Sequence, residues 1–285
     1  MPIAHVNGIE IKYEVHGSGA PLVLAHGYSG SLEMWREQVP GLSSKYRLVI
    51  YDTRGHGKST APADMHAYSI ERDYAGDQLA LMDHLGISQS YVGGLSMGGM
   101  IAQEFVCQHP ERVAALLLFD TGPGGAPRDA AMAARFEQFR AMMATAARTK
   151  GMGAVLEMMR ANAGAGIGLG AKGQLPDSVR RHLRGMAEMS IDGYLSGARA
   201  MQAWRGTMDR LSAITAPTLV VVGERDGLLG PSRAMHAQIA GSRFVLVRDS
   251  GHGTNMWRPR AFERATLDFL ADVDAGRAVA GEFAV

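Results

Sequence analysis

Six short apolar runs recur along the chain: PLVLAH, RLVIYD, SYVGGLS, VAALLLFD, PTLVVVGERD and RFVLVRDSGH. Each is long enough for a buried strand and too short for a helix. Between most of them lie helical periodicities, such as YAGDQLALMDHLG and IAQEFVCQHPERV. Apolar strands alternating with amphipathic helices predict an α/β fold: a mostly parallel central sheet flanked by helices on both faces. Ahead of the runs, Asn7-Gly8 between two alternating segments predicts a hairpin turn into IEIKYEVH.

One interval breaks the rhythm. From about Thr121 to Ala216 there are helical patterns and no convincing strand. With 285 residues the chain has room for one large domain and such an insertion. The expected division is a core formed by 1–120 and 217–275, a helical cap over 121–216, and a frayed tail over 276–285. A cap would sit over the carboxyl ends of the strands, where open α/β sheets bind ligands. Ten of the 18 methionines fall in it, through helix propensity and gap filling or as a pliable, substrate-facing surface. Phe136, Phe139, Tyr194 and Trp204 would add to an apolar pocket wall, and AGAGIGLGAKGQ is too glycine-rich for a helix and reads as a mobile loop.

Composition narrows the partners. Charged residues make up 20% and the formal net charge is +1, with no Lys/Arg run able to track a phosphate backbone. Nucleic acid is therefore a poor partner. The single cysteine, Cys107, can form no internal disulfide, and no cysteine cluster exists to hold zinc. The N-terminus lacks a basic stretch followed by an apolar run, and no segment approaches the roughly 18 apolar residues that span a bilayer. A cytoplasmic protein with no membrane partner is expected, with a homo-oligomer left open.

The chemistry concentrates in Gly94-Leu95-Ser96-Met97-Gly98, a G-x-S-x-G between an apolar run and a helix-like segment. In a nucleophile elbow a strained strand-to-helix turn lifts the serine hydroxyl out of the sheet. Glycines stand two residues either side because a Cβ there would strike neighbouring backbone. A serine hydroxyl needs a base, and His252, between two glycines after RFVLVRDSG, is the strongest of the ten histidines. His26 and His56 are rivals in loops of their own, and His26 reads best as a structural brace. The base needs an acid to fix its tautomer. Asp226, ending VVVGERD, is favoured, with Asp120 at the end of VAALLLFD as its competitor; Glu224 is too near the strand end and Asp249 reads as a turn former. The oxyanion donors fall to the backbone N–H groups of Tyr28 and Met97, leaving the Tyr28 side chain free to line the pocket.

Taken together, these residues resemble the α/β-hydrolase superfamily over nearly the whole chain. His26-Gly27 with Ser31 and Trp35, and the segment Asp52-Thr53-Arg54-Gly55-His56-Gly57-Lys58-Ser59, resemble two signatures of its ester-hydrolase branch. GLSMGGMIAQEF and HPERV are similar to the elbow region of 3-oxoadipate enol-lactonases and related small esterases. The resemblance maps the triad onto Ser96, Asp226 and His252, makes the Asp52–Ser59 segment mainly architectural and implies no cofactor. Trp257 departs from the acidic residue that many relatives carry after the histidine. The expected reaction is hydrolysis of a small carboxylic ester or lactone through an acyl-enzyme. C–C bond hydrolysis, perhydrolysis and a slow-turnover ligand receptor are the alternatives the same residues would serve.

Overall fold

The computed structural model describes residues 2–124, 130–161 and 175–285, without the side chains of 130–136, 160 and 161. The glycine-rich stretch 163–174 and the Phe136 side chain lie outside these.

The described residues form one nine-stranded sheet in the order β1-β2-β4-β3-β5-β6-β7-β8-β9. Its strands are β1 Ile3–Val6, β2 Ile9–His16, β3 Pro21–Ala25, β4 Arg47–Tyr51, β5 Ser90–Leu95, β6 Val113–Phe119, β7 Thr218–Gly223, β8 Arg243–Val247 and β9 Gly281–Ala284. β1, β2 and β4 pair antiparallel, and every pair from β4–β3 onward is parallel. Asn7 and Gly8 make the β1–β2 turn with φ of 49° and 75°, the left-handed values a tight hairpin requires. The central strands carry almost unbroken apolar sequence because both faces are covered; β5 and β7 are buried at every residue.

The flanking helices follow the apolar periodicity. They are α1 Val39–Ser43, α2 Ala75–His84, α3 Met97–Gln108, α8 Leu229–Gln238, α9 Thr254–Trp257 and α10 Pro259–Asp274. α10 shows the pattern plainly, burying Phe262, Ala265, Thr266, Phe269 and Leu270 on one stripe. Each phenylalanine so buried stabilises the fold by roughly 1.5–3 kcal/mol.

Between β6 and β7 the described residues hold four α-helices, a 3-10 turn at Leu211–Ala213 and no strand: the α-helices are α4 Ala130–Lys150, α5 Met152–Ala161, α6 Asp177–Ala187 and α7 Ile191–Ala203. Met143, Met152, Met186 and Met189 are buried in the same apolar cluster as Trp35, Phe119 and Phe262. These four fill the core. The end of the insertion is tied to α3: Trp204 Nε1 donates to Glu104 Oε1 at 2.8 Å, and Arg210 forms an ion pair with the same buried carboxylate. Trp204 thus anchors the end of the insertion to α3.

The tail corrects the sequence reading. Residues 276–285 do not fray, for Gly281–Ala284 pairs parallel to β8 with Arg243 opposite Gly281 and Leu246 opposite Ala284. Backbone bonds hold this edge strand: its side chains are mostly exposed, Phe283 at 51%, so no buried face marks it in the sequence.

Candidate active site

Ser96 stands between β5 and α3 with φ 56° and ψ −112°, a conformation that costs a non-glycine residue about 1–3 kcal/mol. The neighbouring backbone enforces it. Ser96 N–H donates to Phe119 O at 2.9 Å, and the Thr121 hydroxyl donates to Ser96 O at 2.9 Å. A Cβ on Gly94 would lie 2.3 Å from Gly98 backbone, and one on Gly98 would lie 2.2 Å from Ala25 O. Both glycines are therefore demanded by close approach, as the elbow reading anticipates.

The loop after β3 runs beside the elbow, where a Cβ on Gly27 would lie 3.5 Å from Ser96 Cβ. His26 braces this loop from inside. Its Nδ1–H donates to Gly27 O at 2.8 Å and its Nε2 accepts Thr53 N–H at 3.0 Å, which fixes the tautomer. Full burial pushes its pKa down to about 4, so the ring is neutral. His56 is fully enclosed as well, with burial lowering it to about 3 and Nδ1 donating to Arg54 O. Arg54 is locked on Asp77 at 2.6 Å, and Asp52 accepts Leu32 N–H and Lys58 N–H. Apart from His56 Nε2, which is buried without a partner, these polar groups of the Asp52–Ser59 segment hold loops in place.

Met97 is the first residue of α3, where helix geometry leaves the backbone N–H without an intrahelical acceptor. Tyr28 follows Gly27, and its side chain has partners of its own on α7. The hydroxyl donates to Tyr194 O at 2.6 Å, and the ring stacks on Tyr194 at 5.2 Å between centroids. This tether joins the β3 loop to α7, across 166 positions of sequence.

Asp226 and His252 meet beyond the ends of β7 and β8. His252 Nδ1 donates to Asp226 Oδ2 at 2.9 Å, and Asp226 Oδ1 accepts Leu228 N–H at 2.9 Å. With Nδ1 so engaged, the neutral ring presents Nε2 as a free base. Burial opposes charge on both partners, but their mutual hydrogen bond and attraction win. Asp226 ends below the usual carboxylate range and His252 above the usual imidazole range.

Asp120 sits one strand earlier, fully buried at φ 45°. Oδ2 accepts Gly253 N–H, Thr254 N–H and the Thr254 hydroxyl at 3.1, 2.7 and 2.8 Å, and Oδ1 accepts Gly223 N–H at 3.1 Å. It holds the backbone that carries His252 and leaves the ring to Asp226. Burial, with the neighbouring Asp226 charge, pushes its carboxyl up to about 6. Sequence reasoning missed this role, as it missed Thr121 and Thr254. Glu224 accepts Asp249 N–H and Asp249 pairs with Arg225, which makes both parts of the β8 turn. Asp120 lies between the two halves of the site: Thr121, next to it, binds Ser96 O, while Asp120 itself binds the His252 loop. Ser96, Asp226 and His252 thus share one edge of the sheet.

No group of three His, Cys, Asp or Glu side chains among the described residues could hold a metal ion. A cleft of about 490 Å³ lined by Cys107, Val113, Arg210 and Pro217 lies at the amino ends of β6 and β7, the opposite edge from Ser96.

The sequence profile of the alpha/beta hydrolase fold matches residues 20–259. The chain belongs to that family. Its relatives include 3-oxoadipate enol-lactonase 2 of Acinetobacter baylyi, 26% identical over 93% of this chain and 97% of the relative. Among solved structures, the enol-lactonase from Burkholderia xenovorans LB400 superimposes with a TM-score of 0.78 at 30% identity, covering 95% of this chain and 100% of the other. A thermophilic esterase from Thermogutta terrifontis gives 0.78 at 28% identity, covering 93% and 94%. Within this family the present chain is of the esterase and lactonase type of hydrolase. No helix among the described residues is long and apolar enough to cross a membrane.

Proposed function

We propose that this protein cleaves a small carboxylic ester or lactone through an acyl-enzyme on Ser96, with His252 as base and Asp226 as its orienting acid. The observation that carries the proposal is the 2.9 Å bond from His252 Nδ1 to Asp226 Oδ2, which leaves Nε2 unprotonated on the edge that carries Ser96. In the first step Ser96 Oγ attacks the acyl carbon while His252 Nε2 takes its proton. The N–H groups of Tyr28 and Met97 receive the oxyanion, and one such donor contributes about 10²–10³ in rate. His252 then protonates the departing alkoxide, which in a lactone stays joined to the acyl chain. Water, deprotonated by the same nitrogen, attacks the acyl-enzyme and releases the acid. The described helices between β6 and β7, α4 to α7, act as the cap over this edge and shape the acyl pocket. The triad residues lie outside these helices, and Thr121, which stands before them in sequence, steadies Ser96 through its hydroxyl.

A panel of p-nitrophenyl esters, lactones and diketones tests the reading. Fast multiple turnover of esters or lactones supports it. Turnover of diketones alone would reassign the same residues to C–C bond hydrolysis, and a single slow turnover with retained ligand would make the protein a receptor.

A further inference from the structure

On α6 the His182 ring makes no hydrogen bond to a described residue with either nitrogen. Along this helix Ser178, Val179, Leu183 and Met186 are buried, and His182 lies on the same stripe. The Ser178 hydroxyl donates to Met256 O at 3.0 Å, four residues beyond His252. A Cβ on Gly185 would lie 3.7 Å from Ser31 Oγ, three residues beyond Tyr28. Arg181, one position before His182, turns outward to pair with Glu37. His182 therefore sits midway between an anchor on the His252 loop and an anchor on the Tyr28 loop, and α6 bridges the two.

The ring of His182 is half-buried. Its Nδ1 is shut off from solvent and has no partner. Nε2 makes no hydrogen bond to a described residue and, unlike Nδ1, is not shut off from solvent. With no acceptor in reach of Nδ1, the proton rests on Nε2, where a ligand can accept it. The ring is neutral: burial lowers its pKa to about 4, and the nearby His252 charge lowers it further. A neutral N–H donor of this kind pairs with an uncharged acceptor such as a carbonyl oxygen. The mechanism outlined above makes no use of this group.

We propose that His182 recognises the substrate by donating from Nε2 to a second, uncharged carbonyl oxygen, so that the preferred ester or lactone also bears a keto or amide group. The proposal rests on the serine-hydrolase reading and deepens it. A buried donor left without its acceptor discriminates against a substrate that lacks one.

The test uses p-nitrophenyl esters of keto acids, with the keto group at successive carbons, against the parent acids of equal length. The intact protein is compared with His182→Leu and His182→Gln, and each is treated with a fluorophosphonate to check Ser96 labelling. At one keto position the unaltered protein should favour the keto ester about tenfold in kcat/KM, the worth of one hydrogen bond. His182→Leu should bring that ratio to about one, mainly through KM, and His182→Gln, which keeps an N–H donor, should restore part of it. Absence of preference along the whole series, or a ratio that survives in His182→Leu, overturns the proposal while Ser96 labels normally. Failure of Ser96 to label in the unaltered protein overturns the hydrolase reading, and this proposal with it.

Discussion

His252 Nδ1 lies 2.9 Å from Asp226 Oδ2, while the carboxylate of Asp120, on the adjacent strand, is filled by the Gly253 and Thr254 N–H groups, the Thr254 hydroxyl and Gly223 N–H. Two acids close neighbouring strands, and they divide the work. One takes the imidazole and the other takes the backbone that presents it.

Exchange of each acid for its amide should separate these roles. Asp226→Asn removes the acceptor that fixes the His252 tautomer, and turnover should fall about 10⁴-fold with the fold intact. In Asp120→Asn the amide nitrogen must face a donor whichever way it turns, so the protein should lose about 1–3 kcal/mol of stability. Its turnover should fall far less. Thermal unfolding and ester kinetics on both variants check the ranking, and the reverse order would make Asp120 the acid.

The pH profile follows from the same bond. His252 is held above its ordinary value of 6.5 because its hydrogen bond and the Asp226 charge outweigh burial. A raised pKa keeps the ring cationic to higher pH, so ester turnover should rise with pH through a limb centred above 6.5. In Asp226→Asn burial is largely unopposed, and the limb of the residual activity should move down. An unmoved limb would assign it to another group. Chelators should leave the rate unchanged.

Tyr28→Phe keeps the stacked ring and removes only the bond to Tyr194 O. One uncharged hydrogen bond is worth about 1 kcal/mol. If it steadies the Tyr28 N–H, kcat should fall several-fold with little change in KM. A change confined to KM would place the tyrosine in substrate binding.

Two helical glycines should respond oppositely to alanine. In Gly98→Ala the new Cβ meets Ala25 O at 2.2 Å, a backbone atom that cannot step aside. The cost should be about 3 kcal/mol or more, read as a fallen Tm or insoluble protein. Gly153→Ala in α5 meets nothing within 4 Å and should gain up to about 1 kcal/mol.

The sheet and the elbow were legible because both leave a local signature. Six apolar runs alternate with amphipathic helices, and Gly94 and Gly98 mark the places where backbone meets backbone. β9 was not legible, since an edge strand such as Gly281–Ala284 is recruited by hydrogen bonds from β8 and needs no apolar face. The sheet interior hid Asp120, whose position at a strand end fits an acid for histidine as well as a brace; only the burial of its four donors distinguishes them. The Tyr28–Tyr194 tether spans 166 residues, and no spacing within the sequence encodes such a contact.

Acylation of Ser96 is the step on which everything else depends. The most direct measurement is peptide mass spectrometry after reaction with a fluorophosphonate, alongside ester turnover by Ser96→Ala. A single adduct should map to Ser96 with stoichiometric loss of activity, and Ser96→Ala should lose about 10⁶ in rate while its unfolding transition is retained. An adduct on another residue, or an active Ser96→Ala protein, would contradict the account.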